Sequence, residues 1–245
     1  MRVSVVIPAF NGKRFLAEAI ASVRAQDRPV DEIVVVDDGS TDGTAELAEE
    51  LGARVLRQSN AGPAAARNAG IATAAGDVIA FLDCDDLWTE GSLARRLDAL
   101  ERDPALQVVL GRHRVEYLPG AMLVEFPTDE ADGTLTSVKF SAGLFRREVF
   151  GRVGLLDTSF LQAEDVDWFL RALEQRVRML IVDHVALVYR RHRANVTCDR
   201  ERNQTYFARA LMRSLERRRR EGRGRPAPLP TWSELDERHV ARRGA

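Results

Sequence analysis

The chain has few cysteines, few lysines and no long apolar run. Only Cys84 and Cys198 occur in 245 residues, far apart and unlike any zinc pair or disulfide framework, which points to a reducing compartment. No apolar run approaches the roughly 18 residues of a membrane span. The start, Met1-Arg2-Val3-Ser4-Val5-Val6-Ile7-Pro8, is too short for the apolar core of a secretory signal, so a cytoplasmic protein is expected. Lysine is confined to Lys13 and Lys139, and arginine use is high throughout. After the first apolar run stands Pro8-Ala9-Phe10-Asn11-Gly12 rather than a glycine-rich phosphate loop. That disfavours a nicotinamide-dependent enzyme and a sugar-phosphate nucleotidyltransferase.

What is present is enough to bury a core: 45% hydrophobic and 30% charged residues exclude disorder and collagen-like repeats. The net charge of −1 hides an asymmetry, because residues 200–245 carry 13 Arg against 6 acids, about +7, leaving about −8 for residues 1–199. Val3 to Ile7 reads as a strand stopped by Pro8, and Phe15, Leu16, Ala19, Ile20 and Val23 follow at helical spacing. The same alternation recurs. Ile33 to Val36 precedes a helix over Thr44 to Leu51, and Ala53 to Leu56 precedes an Ala-rich helix from Pro63. Val78 to Leu82 then precedes a helix near Ser92 to Leu100. Apolar strands alternating with helices predict a parallel sheet covered on both faces.

From Pro104 the pattern predicts short strands at Gln107 to Leu110 and Val115 to Leu118, then a Gly- and Asp-rich linker to Gly133. A helix at Asp165 to Glu174, strands at Met179 to Val182 and Val185 to Tyr189, and a helix at Asn203 to Leu215 follow. The arginine run Arg217 to Arg225 and the Pro-rich end lack the apolar content to pack alone.

In open α/β sheets ligands bind beyond the carboxyl ends of the strands. Asp37-Asp38-Gly39-Ser40-Thr41 ends the second strand with acceptors for a base or ribose and with residues able to cap the next helix. Asp83-Cys84-Asp85-Asp86 ends the fourth strand with hard oxygen ligands for Mg²⁺ or Mn²⁺ beside a diphosphate. Without a cation these carboxylates would repel one another.

The four segments Val3 to Asn11, Val34 to Thr44, Ala66 to Gly70 and Phe81 to Trp88, in this order and spacing, resemble glycosyltransferase family 2. Glu164-Asp165 opening a helix and Tyr189-Arg190-Arg191-His192 after a strand extend the resemblance over residues 3–197. It implies the GT-A fold, a Rossmann-like, mostly parallel sheet flanked by helices, with a smaller mixed acceptor-side region and a basic C-terminal tail. The expected division is a nucleotide-sugar half at 1–103, an acceptor-side half at 104–198 and a helix with a flexible tail at 199–245.

The resemblance also implies roles. The backbone at Pro8, Ala9 and Phe10 and the Asp38 side chain would hold the nucleobase, with Asp37 nearby. Asp83 would reach the ribose or the metal, Asp85 would be the principal ligand of the D-x-D motif, and Cys84 takes its variable middle position. Arg67 is a weaker candidate for diphosphate or nucleoside contact, and His192 would touch metal or diphosphate, flanked by Arg190 and Arg191. Asp165 would be the catalytic base, with Glu164 orienting it and Trp168 either an acceptor platform or core. His113, His184 and His239 read as structural.

The implied reaction is an inverting transfer from a nucleoside-diphosphate sugar to an unidentified hydroxyl. Neither the Q-x-x-R-W motif nor the membrane helices of processive synthases occur, which favours single addition. The non-catalytic alternative is a binding module whose basic tail meets an anionic membrane or, less favoured, nucleic acid.

Overall fold

The computed structural model describes residues 1–123, 133–136, 138–195, 200–220 and 232–237. Expectations resting on Cys198, His239, the 124–132 linker, Arg223 and Arg225 lie outside the described residues.

The first hundred residues fold as their pattern predicts. Strand β1 (Val3–Ala9), helix α1 (Lys13–Arg24), β2 (Glu32–Asp37), α2 (Thr44–Glu50), β3 (Arg54–Arg57), α3 (Pro63–Thr73) and β4 (Val78–Phe81) succeed one another. All pairs in the run β3-β2-β1-β4 are parallel, with Val6 opposite both Val34 and Phe81. The two-residue period of β1 separates its side chains: Val3, Val5 and Ile7 join Leu16 and Ile20 on one face, and Val6 joins Ile71 and Phe81 on the other. Central parallel strands are covered twice, which is why β1 is buried at every position. Helix α3 owes its close seat to small residues, since a Cβ on Gly70 would stand 2.2 Å from Val6 Cγ1.

The second half departs from expectation. After β5 (Leu87–Trp88) and α4 (Ser92–Arg102), the two short strands predicted after Pro104 are one long strand, β6 (Val108–Tyr117). Its polar middle, Arg112 and His113, is nevertheless buried, and Arg112 pairs with Asp183 at 3.3 Å. Then come β7 (Thr134–Leu135), β8 (Gly143–Arg146), α5 (Glu148–Val153), α6 (Glu164–Glu174) and β9 (Met179–Arg191), which likewise merges two predicted runs. β6 and β9 pair in parallel with register shifts around Arg112, and such irregularity conceals a continuous strand from a periodic reading.

The sheet order is β3-β2-β1-β4-β8-β6-β9-β5, with β7 on β6. β8 runs antiparallel to both β4 and β6, so the parallel sheet of the first hundred residues continues into a mixed one. Beneath it Phe140, Phe145, Phe150, Trp168 and Phe169 form one aromatic cluster.

Helix α7 (Arg200–Arg220) is longer than predicted because Arg217, the first arginine of the supposedly unpacked run, is anchored like Arg213 before it. Arg217 pairs with Glu174 at 2.8 Å and with Asp167 at 3.1 Å, and Arg213 pairs with Asp157. No helix among the described residues is long and apolar enough to cross a membrane.

Gly70→Ala should lower unfolding stability by about 1–3 kcal/mol in urea titrations; an unchanged midpoint would mean that α3 does not rest on Val6. A second prediction concerns pH. Burial, with Lys139 nearby, pushes the His113 imidazole down to about 3, whereas the unfolded chain titrates near about 6.5. Between those values the unfolded state binds more protons, so acid favours unfolding. Replacing His113 by Gln should shrink the stability lost between pH 7 and pH 5 by about 2 kcal/mol relative to the unsubstituted chain.

Candidate active site

The carboxyl ends of the parallel strands β1, β2 and β4 lie along one edge of the sheet, and the loops after β1 and β2 are tied together. Asn11 takes the left-handed conformation, φ 50°, which Asn tolerates better than most residues. Its Oδ1 accepts from Thr41 N at 2.9 Å while its own N–H donates to Ser40 Oγ at 2.8 Å. Ser40 and Thr41 therefore brace the β1 loop instead of capping α2, whose N-cap is Gly43, and Asp42 just before it accepts from Thr44 N at 3.0 Å. Pro8 and Ala9 are buried, whereas Phe10 is 52% exposed at the rim.

The two acids ending β2 differ. Asp38 accepts from Gln58 Nε2 at 2.7 Å, Ala61 N at 2.9 Å and Gly62 N at 2.8 Å, so its carboxylate organises the loop entering α3. Asp37 is equally buried, yet its Oδ1 has no partner among the described residues. A buried carboxylate oxygen left unpaired is costly, and a nucleoside N–H or hydroxyl is the kind of donor that would satisfy it.

Arg67 is the hub. From α3 its guanidinium reaches Asp83 Oδ1 at 2.5 Å and also binds Glu164 Oε1. The sequence left it as a solvated, salt-bridged or ligand-contacting arginine; it is buried and paired with two acids of the site. Burial opposes its charge, but Asp83, Glu164 and Asp165 outweigh that and hold its pKa above the ordinary arginine value. Glu164 is raised in turn, by burial and by Asp165, with Arg67 opposing.

Asp85 meets the end of β9. Its Oδ2 lies 3.0 Å from His192 Nε2 and accepts from Asn195 Nδ2 at 3.0 Å. His192 Nδ1 accepts from Ala194 N at 3.2 Å, which puts the ring proton on Nε2, facing Asp85. The ring itself packs on Phe15, centroids 4.5 Å apart.

Asp85 Oδ2 is an oxygen that an Mg²⁺ or Mn²⁺ ion would accept, whereas His192 Nε2, which here carries the proton facing Asp85, would offer a second position, one that favours Mn²⁺, after giving up that proton. Asp83, the third expected ligand, turns one oxygen to Arg67, and among the described residues no group of three or more His, Cys, Asp or Glu gathers as a metal site. Cys84 packs beneath the β1 loop, where a Cβ on Gly12 would stand 2.6 Å from its Sγ. Burial and the adjacent Asp85 and Asp83 push its thiol well up.

The two arginines that end β9, Arg190 and Arg191, are both buried. Arg190 donates to the Asp85 carbonyl at 2.5 Å and pairs with Glu18, and its N–H reaches Asp86 Oδ1 at 2.9 Å. Arg191 Nη1 lies 3.4 Å from the Tyr189 hydroxyl. Asp86 is itself fully buried, and burial together with Asp85 and Asp83 raises its pKa well above the usual range.

Asp165 is half-buried in the first turn of α6, which begins after Ala163 in the left-handed region, φ 58°. For a residue with a Cβ that backbone is strained by about 1 kcal/mol or more. Trp168 is core, not an acceptor platform: it is fully buried and donates to the Gly154 carbonyl at 2.8 Å.

Sequence reasoning missed two participants, Asn195 and Lys139. Asn195 carries no pattern that marks it. Lys139 lies over the Tyr189 ring, Nζ 4.0 Å from the centroid. Although burial lowers a lysine pKa, the Tyr189 phenol, Asp165, Asp86 and Asp83 act oppositely and raise it. Its rarity was the available signal, because a chain so rich in arginine keeps only two lysines.

Residues 4–124 match the family described as Glycosyl transferase family 2. The glycosyltransferase EpsJ of Bacillus subtilis is 30% identical over 222 residues, covering 80% of this chain. The chain spans 62% of the length of that relative. The mannosyltransferase PcManGT of Pyrobaculum calidifontis, solved with GDP-Man and Mn²⁺, superposes with a TM-score of 0.71 at 22% identity over 95% of this chain and 66% of its own. Staphylococcus aureus TarS 1-349 in complex with UDP-GlcNAc gives 0.65 at 21% identity, over 81% of this chain and 61% of its own. Motif order, sheet order and these matches agree, and the chain belongs to glycosyltransferase family 2, built on the GT-A fold.

Proposed function

We propose that the protein transfers a sugar from a nucleoside diphosphate to an acceptor hydroxyl by one metal-assisted displacement with inversion. The observation that carries this reading is the Arg67 bridge: it joins Asp83, at the end of β4, to Glu164, which adjoins Asp165, so donor-side acids and candidate base share one crevice. The relatives solved with GDP-Man or UDP-GlcNAc support a nucleotide-sugar donor.

In this reading the nucleoside rests against Phe10 and the Pro8–Ala9 backbone, with Asp37 Oδ1 taking a donor from it. Asp38 acts through the loop it organises. Asp85, with His192 once its Nε2 is unprotonated, would hold the cation, and that ion would supply charge neutralisation for the departing diphosphate. Asp165 removes the proton of the acceptor hydroxyl as its oxygen attacks the anomeric carbon. The bond from that carbon to the diphosphate breaks, the electron pair leaves with the diphosphate, and the configuration inverts. Lys139, raised by Tyr189, Asp165, Asp86 and Asp83 against its burial, keeps a positive charge in the neighbourhood of the candidate base. Single addition and a cytoplasmic location belong to the same proposal; Cys84, a free thiol, suits a reducing compartment.

Donor binding and transfer are separable experimentally. With a panel of nucleotide sugars and Mn²⁺, the matching donor at about 100 times its Kd should stabilise the protein by roughly 2.7 kcal/mol in thermal unfolding. Asp85→Ala should lose the metal-dependent part of that shift together with metal-dependent turnover. Asp165→Asn should keep the donor shift while transfer falls by about 10²–10⁴-fold; undiminished transfer would remove Asp165 from the role of base.

A further inference from the structure

Helix α7 carries a surface that the proposed transfer does not use. Ala210 and Ser214 are buried and Arg217 is paired, so these residues mark the side packed toward α6. Around the other side, Phe207, Leu211, Met212 and Leu215 are 48%, 41%, 62% and 43% exposed. At about 100° per residue they span a stripe roughly 140° wide. Single exposed apolar residues are ordinary, but four large ones grouped on one helix mark an interaction site.

The charge beside the stripe names the partner. Arg213 and Arg217 point inward to acids, whereas Arg219 and Arg220 are exposed in the last turn, and the sequence continues with Arg223 and Arg225. Residues 1–199 carry about −8 and residues 200–245 about +7, so the charge asymmetry favours approach to an anionic surface with the α7 end forward. An apolar helical stripe ending in arginines is the chemistry that enters the headgroup boundary of a bilayer.

We propose that α7 docks on an anionic lipid membrane, with Phe207, Leu211, Met212 and Leu215 in the acyl boundary and Arg219 and Arg220 on lipid phosphates. Because α7 packs along α6, whose first turn bears Asp165, docking holds the acceptor side of the crevice near the membrane surface.

The test is flotation of the full chain with vesicles, which reads binding without turnover and so does not depend on the transferase assignment. The chain should float with phosphatidylcholine vesicles containing phosphatidylglycerol, not with phosphatidylcholine alone, and binding should weaken as salt rises. Leu211→Glu with Leu215→Glu should cut binding by about tenfold or more at an unchanged Tm. Arg219→Glu with Arg220→Glu should also weaken it and flatten the salt dependence. The proposal fails if the unsubstituted chain does not float at low salt, or if the Leu211→Glu, Leu215→Glu chain still floats. It fails equally if the stripe holds together a dimer, detected by light scattering without vesicles, that Leu211→Glu dissolves.

Discussion

The site depends on one buried cation. Arg67 lies between Asp83 and Glu164, and each of these acids sits on a different half of the chain. Removing the guanidinium would leave Glu164, itself buried, without its countercharge in a place where an unpaired charge is strongly unfavourable. The bridge therefore does more than join two residues. It fixes how the first turn of α6, strained at Ala163, stands against the end of β4. The small residues of α3 are part of the same arrangement, because Gly70 lets that helix settle on β1 closely enough for Arg67 to reach inward.

A second fastening works where the loop after β4 meets the end of β9. Asp86 accepts the Arg190 N–H, Arg190 donates to the Asp85 carbonyl, and Asn195 holds both Asp85 and the turn around His192. The D-x-D turn and the end of β9 are thus locked by backbone as well as side-chain bonds. Asp85 and His192 are thereby held at a fixed spacing before any ligand arrives.

Much of the nucleotide side was legible beforehand, since β1, β2 and β4 are continuous apolar runs and each ends in the polar residues that later line the crevice. The second half was less legible. β8 is only four residues long, and β6 and β9 hide polar residues at buried positions around an irregular register. Local patterns cannot show that Arg112 or His113 is inside, because their burial depends on partners more than twenty residues away. The α7 arginines gave a similar difficulty: a run that looks solvated in isolation begins with Arg217, which is committed to Glu174 and Asp167 on another helix.

What the residue order determined by itself was the α/β alternation, the acids at the strand ends and the family resemblance, all of which follow from short-range spacing. Tertiary structure decided which of those acids are engaged. It placed Asp38 on its own loop, left one oxygen of Asp37 unpaired, turned Asp83 to Arg67 and brought His192 to Asp85 across 107 residues of chain. It also drew Lys139 into the acidic cluster and Trp168 into the core. The reason is physical: strand and helix signals arise within a few residues, whereas the state of a carboxylate depends on burial and on charges that only the folded chain brings within hydrogen-bonding reach.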